Sequence, residues 1–336
     1  SNFFNIYLNK KKMKKLITKI FILLSVIFNS NTSLAQDYGN LQNALSGYSY
    51  RSVGPAFMSG RLADIAIDSN NENVWYVAVG SGGVWKTKNA GTTWMPLTDN
   101  MPFYSTGSIT IDPNDSSRIW VGTGENVAGR HVGIGHGIYL SKDSGSTWDD
   151  MGLNKSEHIS KIIVHPDNSN IIWVASQGPL WNSGGDRGLF MSTDGGNTWS
   201  NKLYVNEWTG VTDIIIDPTN PDILYAATWQ RHRNVASLID GGPGTSIYKS
   251  TDGGNTWNEI DSGLPSSNMG KIGLAISPMK PEVIYAAIEL DRRSGAVFRS
   301  DNSGGVWKKM SNTVAGATGP HYYQELIPSP HVFDKI

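Results

Sequence analysis

Ser192-Thr-Asp-Gly-Gly-Asn-Thr-Trp199 returns letter for letter as Ser250 to Trp257. Ser141 to Trp148 keeps the Ser, Asp, second Gly, Thr and Trp, with Lys142, Ser144 and Ser146 at the remaining positions. Thr87 to Trp94 and Ser300 to Trp307 are more worn: Asn89 and Asn302 replace the Asp, and Val306 replaces the Thr. Starts at 87, 141, 192, 250 and 300 define a repeat of about 50 residues, in the range of propeller blades.

Each position of the octapeptide has a physical role. Asp143, Asp194 and Asp252 are expected to accept N–H bonds from the turn behind them, and Gly145, Gly196 and Gly254 to take φ > 0 there. The hydroxyls of Thr147, Thr198 and Thr256 then bond back across the turn. Trp94, Trp148, Trp199, Trp257 and Trp307 are expected to swing into the apolar layer between sheets, where loss of such a ring costs about 3–5 kcal/mol. A calcium loop would need alternating carboxylates and a distal Glu. Asp-Gly-Gly-Asn has neither, so the turn reads as structural.

The sequence around the octapeptide repeats as well. A first strand ends on Asp-Pro or a relative: Ile65-Ala-Ile-Asp68, Ile109-Thr-Ile-Asp-Pro113, Ile162-Ile-Val-His-Pro166, Ile214-Ile-Ile-Asp-Pro218 and Leu274-Ala-Ile-Ser-Pro278. In the last four copies proline stops the strand because it has no N–H for the ladder. A second strand opens on Trp75, Trp120, Trp173, Tyr225 or Tyr285, and a third carries Trp85, Tyr139, Phe190, Tyr248 or Phe298 into the octapeptide. A fourth follows the Trp. Four antiparallel strands with tight turns make a blade, and one blade cannot bury both faces alone. The fold class is therefore all-β, a propeller of four-stranded antiparallel blades. A two-sheet sandwich fits the fixed period less well.

The blades are placed at about 60–98, 105–153, 158–205, 210–264 and 270–313. A sixth starts at 320–336, where Leu326-Ile-Pro-Ser-Pro330 matches the first-strand template. This predicts a partial propeller over 60–336, with further blades missing from the chain. Residues 36–59 read as a lead-in, with a strand over Tyr48 to Val53.

Lys10 to Lys12, Lys14 and Lys15 precede an apolar run from Ile20 to Phe28 and a small-residue site at Ser33-Leu34-Ala35. That predicts a signal peptide over 1–35 and a secreted, periplasmic or cell-surface protein. The run is too short to span a bilayer core of ~30 Å, so no membrane span is expected after cleavage. Met13 offers a natural initiator, which would make residues 1–12 upstream read-through. A net charge of −1 leaves no basic surplus for nucleic acid. The chain has no cysteine, which excludes disulfides and thiolate chemistry. It has no phosphate loop, metalloprotease helix or nucleophile elbow. No cofactor and no metal are expected.

The octapeptides resemble Asp-boxes, the bacterial neuraminidase repeat of sialidases, sortilin-type receptors and xyloglucan-cleaving glycoside hydrolases. Tyr50-Arg-Ser-Val-Gly-Pro-Ala-Phe-Met-Ser-Gly-Arg61, followed by Ser81-Gly-Gly-Val-Trp-Lys86, is similar to large exported bacterial proteins described as glycosyl-hydrolase or sortilin-N-terminal-like. The resemblance covers residues 50–336 and implies the propeller fold. It also implies a glycan or peptide ligand, or hydrolysis of a glycosidic bond. The xyloglucan-cleaving enzymes carry an Asp just before the first Gly-Gly; Gly80-Ser81 stand there in this chain. A sialidase would need an Arg cluster, to which Arg61 is the one evident match.

Successive hairpins alternate sides, so the octapeptide turns share one face, and the loops between strands two and three share the other with the interblade loops. The aromatics of strands two and three lie 10, 19, 17, 23 and 13 positions apart in blades one to five. Variable loops on a constant scaffold are where binding residues concentrate. The ligand-binding candidates there are Arg61, Arg130, His131, Trp181, Arg187, Trp229, Arg231 and His232: flat rings for sugars or side chains, with Arg and His to orient polar groups. A glycosidase needs two carboxyl groups about 5–5.5 Å apart for retention or about 6.5–9.5 Å apart for inversion. Glu125, Asp240, Glu289 and Asp291 are the candidates by loop position. The leading expectation is a glycan- or peptide-binding propeller forming the N-terminal part of a larger protein; the alternative is a sialidase- or xyloglucanase-like hydrolase.

Overall fold

Five four-stranded antiparallel sheets follow one another along the chain. The structure, a computed structural model, describes residues 61–291, 294–313 and 324–336. The expected signal peptide, the lead-in strand at Tyr48 to Val53, and Arg292, Arg293, His321, Tyr322 and Tyr323 lie outside these residues. Blade one is β1 (Leu62–Ile67), β2 (Trp75–Val79), β3 (Gly83–Thr87) and β4 (Met95–Pro96). Blade two is β5 (Thr106–Asp112), β6 (Asp115–Thr123), β7 (Ile138–Ser141) and β8 (Asp149–Asp150). Blade three is β9 (Ile159–His165), β10 (Asn168–Ser176), β11 (Gly188–Ser192) and β12 (Ser200–Leu203). Blade four is β13 (Thr209–Ile216), β14 (Leu224–Gln230), β17 (Ile247–Ser250) and β18 (Asn258–Glu259), with an extra hairpin, β15 (His232–Arg233) and β16 (Leu238–Ile239), between its second and third strands. Blade five is β19 (Ile272–Ile276), β20 (Ile284–Asp291), β21 (Ser294–Ser300) and β22 (Lys308–Thr313). The described residues contain no helix, hence none long and apolar enough to cross a membrane.

The octapeptide turns form as their chemistry dictates. Asp194 accepts from Thr198 N at 2.9 Å, Thr198 Oγ1 at 2.6 Å and Ser192 Oγ at 2.8 Å, while Ser192 Oγ takes Gly196 N at 2.8 Å. The same set recurs around Asp143 and Asp252. The Thr hydroxyl and N–H hold all three carboxyls down at about 2. In the worn copies the Asn side-chain oxygen replaces a carboxylate oxygen: Asn89 accepts from Thr93 N and Asn302 from Val306 N, both at 2.9 Å. Each turn then docks one backbone N–H on the hairpin between strands one and two of its own blade: Ala90 on Asn73 O, Ser144 on Ser117 O, Gly195 on Asn170 O, Gly253 on Asp222 O and Ser303 on Glu282 O.

Blades are joined through the same turns. Tyr76 and Lys86 of blade one donate to Ser144 O; Trp173 of blade three donates to Gly253 O; Tyr225 and Lys249 of blade four donate to Ser303 O. Trp120 of blade two meets Trp199 edge-on at 6.4 Å. Between the sheets lie apolar clusters built from adjacent blades, such as Trp120, Ile138, Ile162 and Val174, or Tyr225, Ile247, Leu274 and Phe298.

Two expectations need correction. Trp307 is buried and the rings of Trp148, Trp199 and Trp257 are partly so, but Trp94 is 41% exposed and tilts against Trp75 instead of entering an interblade layer. The segment 326–330 forms no strand. A strand needs a laddered neighbour, and none of the described residues pairs with it. Leu326 and Phe333 pack on Ala275, Val283 and Tyr285, and Asp334 takes bonds from Tyr285 OH at 2.5 Å and Arg299 Nη1 at 2.6 Å.

The inner strands β1, β5, β9, β13 and β19 neighbour one another in sequence order. β-Bulges at Ala63, Gly107, Ser160 and Thr212 re-aim the residue that follows: Asp64, Ser108, Lys161 and Asp213. Asp64 caps Ile109 N at 3.0 Å and Asp213 caps Leu274 N at 2.8 Å, each tying its strand to the next blade. Burial raises both carboxyls. Burial lowers the Lys161 ammonium, but Asp64, Asp213 and Glu325 outweigh it and the net shift is upward.

Candidate functional site

The variable loops meet over the hub, and the segment Glu125–Ala128 of blade two runs through their centre as a strap. Four successive carbonyls of this strap are each met by a side chain from another blade. His158 Nδ1 lies 2.8 Å from Glu125 O; Lys271 Nζ and Gln177 Nε2 donate to Asn126 O at 2.8 and 3.2 Å; Arg231 Nη1 donates to Val127 O at 3.0 Å; Arg233 Nε donates to Ala128 O at 3.0 Å. A buried carbonyl without a donor is costly, so the strap and these donors require one another.

This arrangement decides the fate of several candidates. Arg231 is fully buried and also donates to Gly178 O at 3.1 Å; burial and the neighbouring Arg187 lower its guanidinium to about 9. Arg187, 1% exposed, donates to the carbonyls of Gln177, Pro179, Asn182, Gly184 and Trp208, and burial lowers it to about 10. Trp229 is 1% exposed, with Arg231 and Lys271 at 5.0 and 5.4 Å from its ring. These three were expected to face a ligand. They face the protein interior instead: Arg231 reaches the strap, Trp229 packs against Ala128 of the strap, and Arg187 is taken up by carbonyls around its own loop in blade three. Glu125 is fully buried and forms a bidentate ion pair with Arg61, so both residues join blade one to the strap.

Asp240, at the base of the extra hairpin, and Glu289, on β20, come together. Both Asp240 oxygens are buried and have no hydrogen-bond partner among the described residues. Burial, then the Glu289 charge, raises Asp240 to about 9, and burial raises Glu289. Lys271 beside them is lowered to about 7 by burial and by Arg231. Asp291 is exposed and accepts from Ser294 N at 2.9 Å, which closes its hairpin. Of the four carboxylate candidates, Glu125 is thus engaged by Arg61 and Asp291 by its own hairpin, while Asp240 and Glu289 are neighbours in the interior.

The solvent side of the loop layer carries the remaining candidates. Trp181 is 37% exposed, and Arg130 and His131 are exposed. Arg130 also donates to Val235 O at 3.3 Å. His232 is half-buried and edge-on to Trp208 at 4.2 Å. Tyr104, Ile134 and Val235 are exposed by 63, 49 and 87% on the same loops, giving an apolar surface beside polar groups. Sequence reading missed Lys271, His158 and Gln177 as hub donors. Their one signal is position: Lys271 and His158 directly precede inner strands, and Gln177 directly follows a second strand.

Several xyloglucanases are among the proteins that this chain resembles. No protein-family profile matches the chain. A xyloglucanase from a Paenibacillus species is 25% identical over 305 residues, covering 82% of this chain and 28% of that protein. Xyloglucanase Xgh74A of Acetivibrio thermocellus is 26% identical over 285 residues, covering 77% and 31%. The crystal structure of an ancestral GH74 enzyme superposes with a TM-score of 0.60 at 23% identity, covering 78% of this chain and 32% of that one. The chain thus spans under a third of the length of these xyloglucanases, and the structural likeness establishes its architecture as that of a β-propeller.

Proposed function

We propose that this chain contributes a glycan-gripping propeller to a xyloglucanase-type glycoside hydrolase. The observation that carries the reading is the similarity to several xyloglucanases, which runs through three-quarters of the chain or more and so through the blades rather than a single motif. The chemistry of the loop face supports it. Trp181, Tyr104 and the Trp208–His232 pair offer apolar plates of the kind that stack on sugar rings. Arg130 and His131 stand beside them as donors for hydroxyl groups.

In this reading the ligand is a neutral β-glucan with branched side chains, and the buried Arg187, Arg231 and Trp229 hold the loop layer in shape beneath it. Affinity electrophoresis of the full chain in gels containing xyloglucan, unbranched cellulose derivatives or an acidic polysaccharide tests it, alongside release of reducing ends. Retardation by xyloglucan is expected. Unretarded migration in all three gels, with no sugar released, would remove a glycan as the ligand.

A further inference from the structure

Neighbouring blades meet at a repeated joint. A glycine of each octapeptide turn enters a socket on the blade before it, built from a strand-two ring and the residue three places after the octapeptide Trp. A Cβ on Gly145 would stand 2.4 Å from Leu97 Cδ1, and one on Gly196 2.5 Å from Trp120 Cη2 and 3.1 Å from Met151 Cε. On Gly254 it would stand 2.5 Å from Trp173 Nε1, and on Gly304 2.4 Å from Ile260 Cδ1. The carbonyl just before the glycine is held in two joints by a cross-strand pair of donors, Tyr76 with Lys86 and Tyr225 with Lys249. The Trp of the turn also reaches back: Trp199 Nε1 donates to Met151 O at 2.7 Å and Trp307 Nε1 to Ile260 O at 3.0 Å.

Blade five carries one more such socket, with no blade behind it among the described residues. Tyr285 pairs with Arg299 as Tyr225 pairs with Lys249, and Met310, three places after Trp307, is 57% exposed. With Val297, Leu326 and Ile327 these residues line a cleft of about 670 Å³. Blade one carries the matching turn, Thr87 to Trp94. Ala90 has the left-handed φ of Ser144 and Ser303, +50° against +60° and +58°, but is exposed where they are half-buried. A Cβ on Gly91 would find Trp75 and Trp94 of its own blade nearest, at 3.3 and 3.6 Å. Ile65 and Ile67 on the same blade are each 50% exposed, whereas Ile109, Ile162, Ile214 and Leu274, the counterparts of Ile65, are buried by a preceding blade.

We propose that this chain assembles head to tail with a second copy of itself, the turn Thr87 to Trp94 of one copy entering the socket of Tyr285, Arg299 and Met310 on the other. The sequence supplies both halves of a joint that it already makes between its own blades: a left-handed residue and a glycine in the turn, a paired Tyr and cation in the socket. The contact is heterologous, since each copy offers a different patch. It covers Ile65, Ile67 and Met310, apolar side chains otherwise left open to water. The socket's donors already hold an oxygen: Asp334 takes Tyr285 OH at 2.5 Å and Arg299 Nη1 at 2.6 Å, in the role that a turn carbonyl has elsewhere. In the assembly Ala90 O replaces that carboxylate, and Trp94 Nε1 meets Met310 O.

Sedimentation velocity of the full chain between about 1 and 100 μM tests the assembly. The sedimentation coefficient should rise with concentration. Met310→Asp, in the socket, and Ile65→Asp, beside the turn, should each keep the chain monomeric. An equal mixture of the two variants should form a dimer that grows no further, because it contains one intact turn and one intact socket. In the wild type, a lysine cross-linker applied to mixed isotopically heavy and light copies should join Lys88 of one copy to Lys308 or Lys309 of the other. A chain that stays monomeric throughout overturns the proposal and leaves the socket to another occupant, such as a further blade in the same polypeptide. Association that persists in Met310→Asp, or a variant mixture without dimer, overturns it as well. Should the variants not fold, the wild-type cross-link decides: its absence from an associated sample refutes the head-to-tail contact.

Discussion

Arg231 donates from blade four to the carbonyl of Val127 in blade two, 104 residues earlier in the chain, at 3.0 Å. Its second terminal nitrogen reaches Gly178 O in blade three at 3.1 Å. One guanidinium thus clamps three blades over the hub. Charge-assisted hydrogen bonds are worth about 1.5–3 kcal/mol each, and relief of the buried charge offsets part of that. Arg231→Met is expected to lower the unfolding free energy by about 2–4 kcal/mol, measured by urea denaturation. It should leave the far-ultraviolet β signature in place.

Gly254 has φ +85°, and a Cβ there would stand 2.5 Å from Trp173 Nε1. That nitrogen donates to Gly253 O and joins blade three to blade four. Gly254→Ala combines a left-handed backbone with overpacking and is expected to destabilise by about 2–4 kcal/mol. Gly184→Ala shares the backbone penalty, since φ is +70°, but meets no atom within 4 Å. Its cost should be about 1–2 kcal/mol, and the difference between the two midpoints of denaturation isolates the interblade clash.

The turn carboxyls of Asp143, Asp194 and Asp252 lie at about 2, below the ordinary 3.8, because Thr hydroxyls and N–H groups stabilise the charged form. A depressed carboxyl contributes stability that is fully present above the ordinary value and is lost as pH falls toward the folded one. The thermal midpoint is therefore expected to fall between pH 4 and 2. The triple Asp→Asn variant keeps an acceptor oxygen, as Asn89 and Asn302 do, and should show a shallower fall over the same window.

Trp181 stands 37% exposed on the loop layer. If its ring stacks on sugar, Trp181→Ala should weaken retardation by xyloglucan by about fivefold, equivalent to ~1 kcal/mol. Trp229→Ala is expected to behave differently. That ring is buried, so its loss should destabilise the protein by about 3–5 kcal/mol, with binding lost only as the loop layer loosens.

The scaffold was legible because each blade repeats a local code. The Asp-Thr pairing in the octapeptide and the proline after four of the five inner strands act within a few residues of themselves, and the structure places both where the spacing puts them. The loop layer was not legible to the same degree. Arg187, Arg231 and Trp229 read as rim residues, since Arg and Trp on a long polar loop are the usual ingredients of a binding site. What buries Arg231 and Trp229 is a strap from another blade, and no local pattern announces a contact across that much intervening sequence. The nearness of Asp240 to Glu289 is of the same kind, since the two come from blades four and five. Trp94 kept the octapeptide signature but lacks the preceding sheet that buries its counterparts among the described residues.

The strap also constrains how the protein is made. Asn126 O takes Gln177 Nε2 from blade three and also Lys271 Nζ, a partner 145 residues downstream. A ribosome delivers blades two, three and four before that amine exists, so the first blades emerge with an unsealed hub and bare edges. The strap's full set of donors is therefore complete only once the fifth unit has been made, and contacts of such long sequence separation are the slow ones to close in folding.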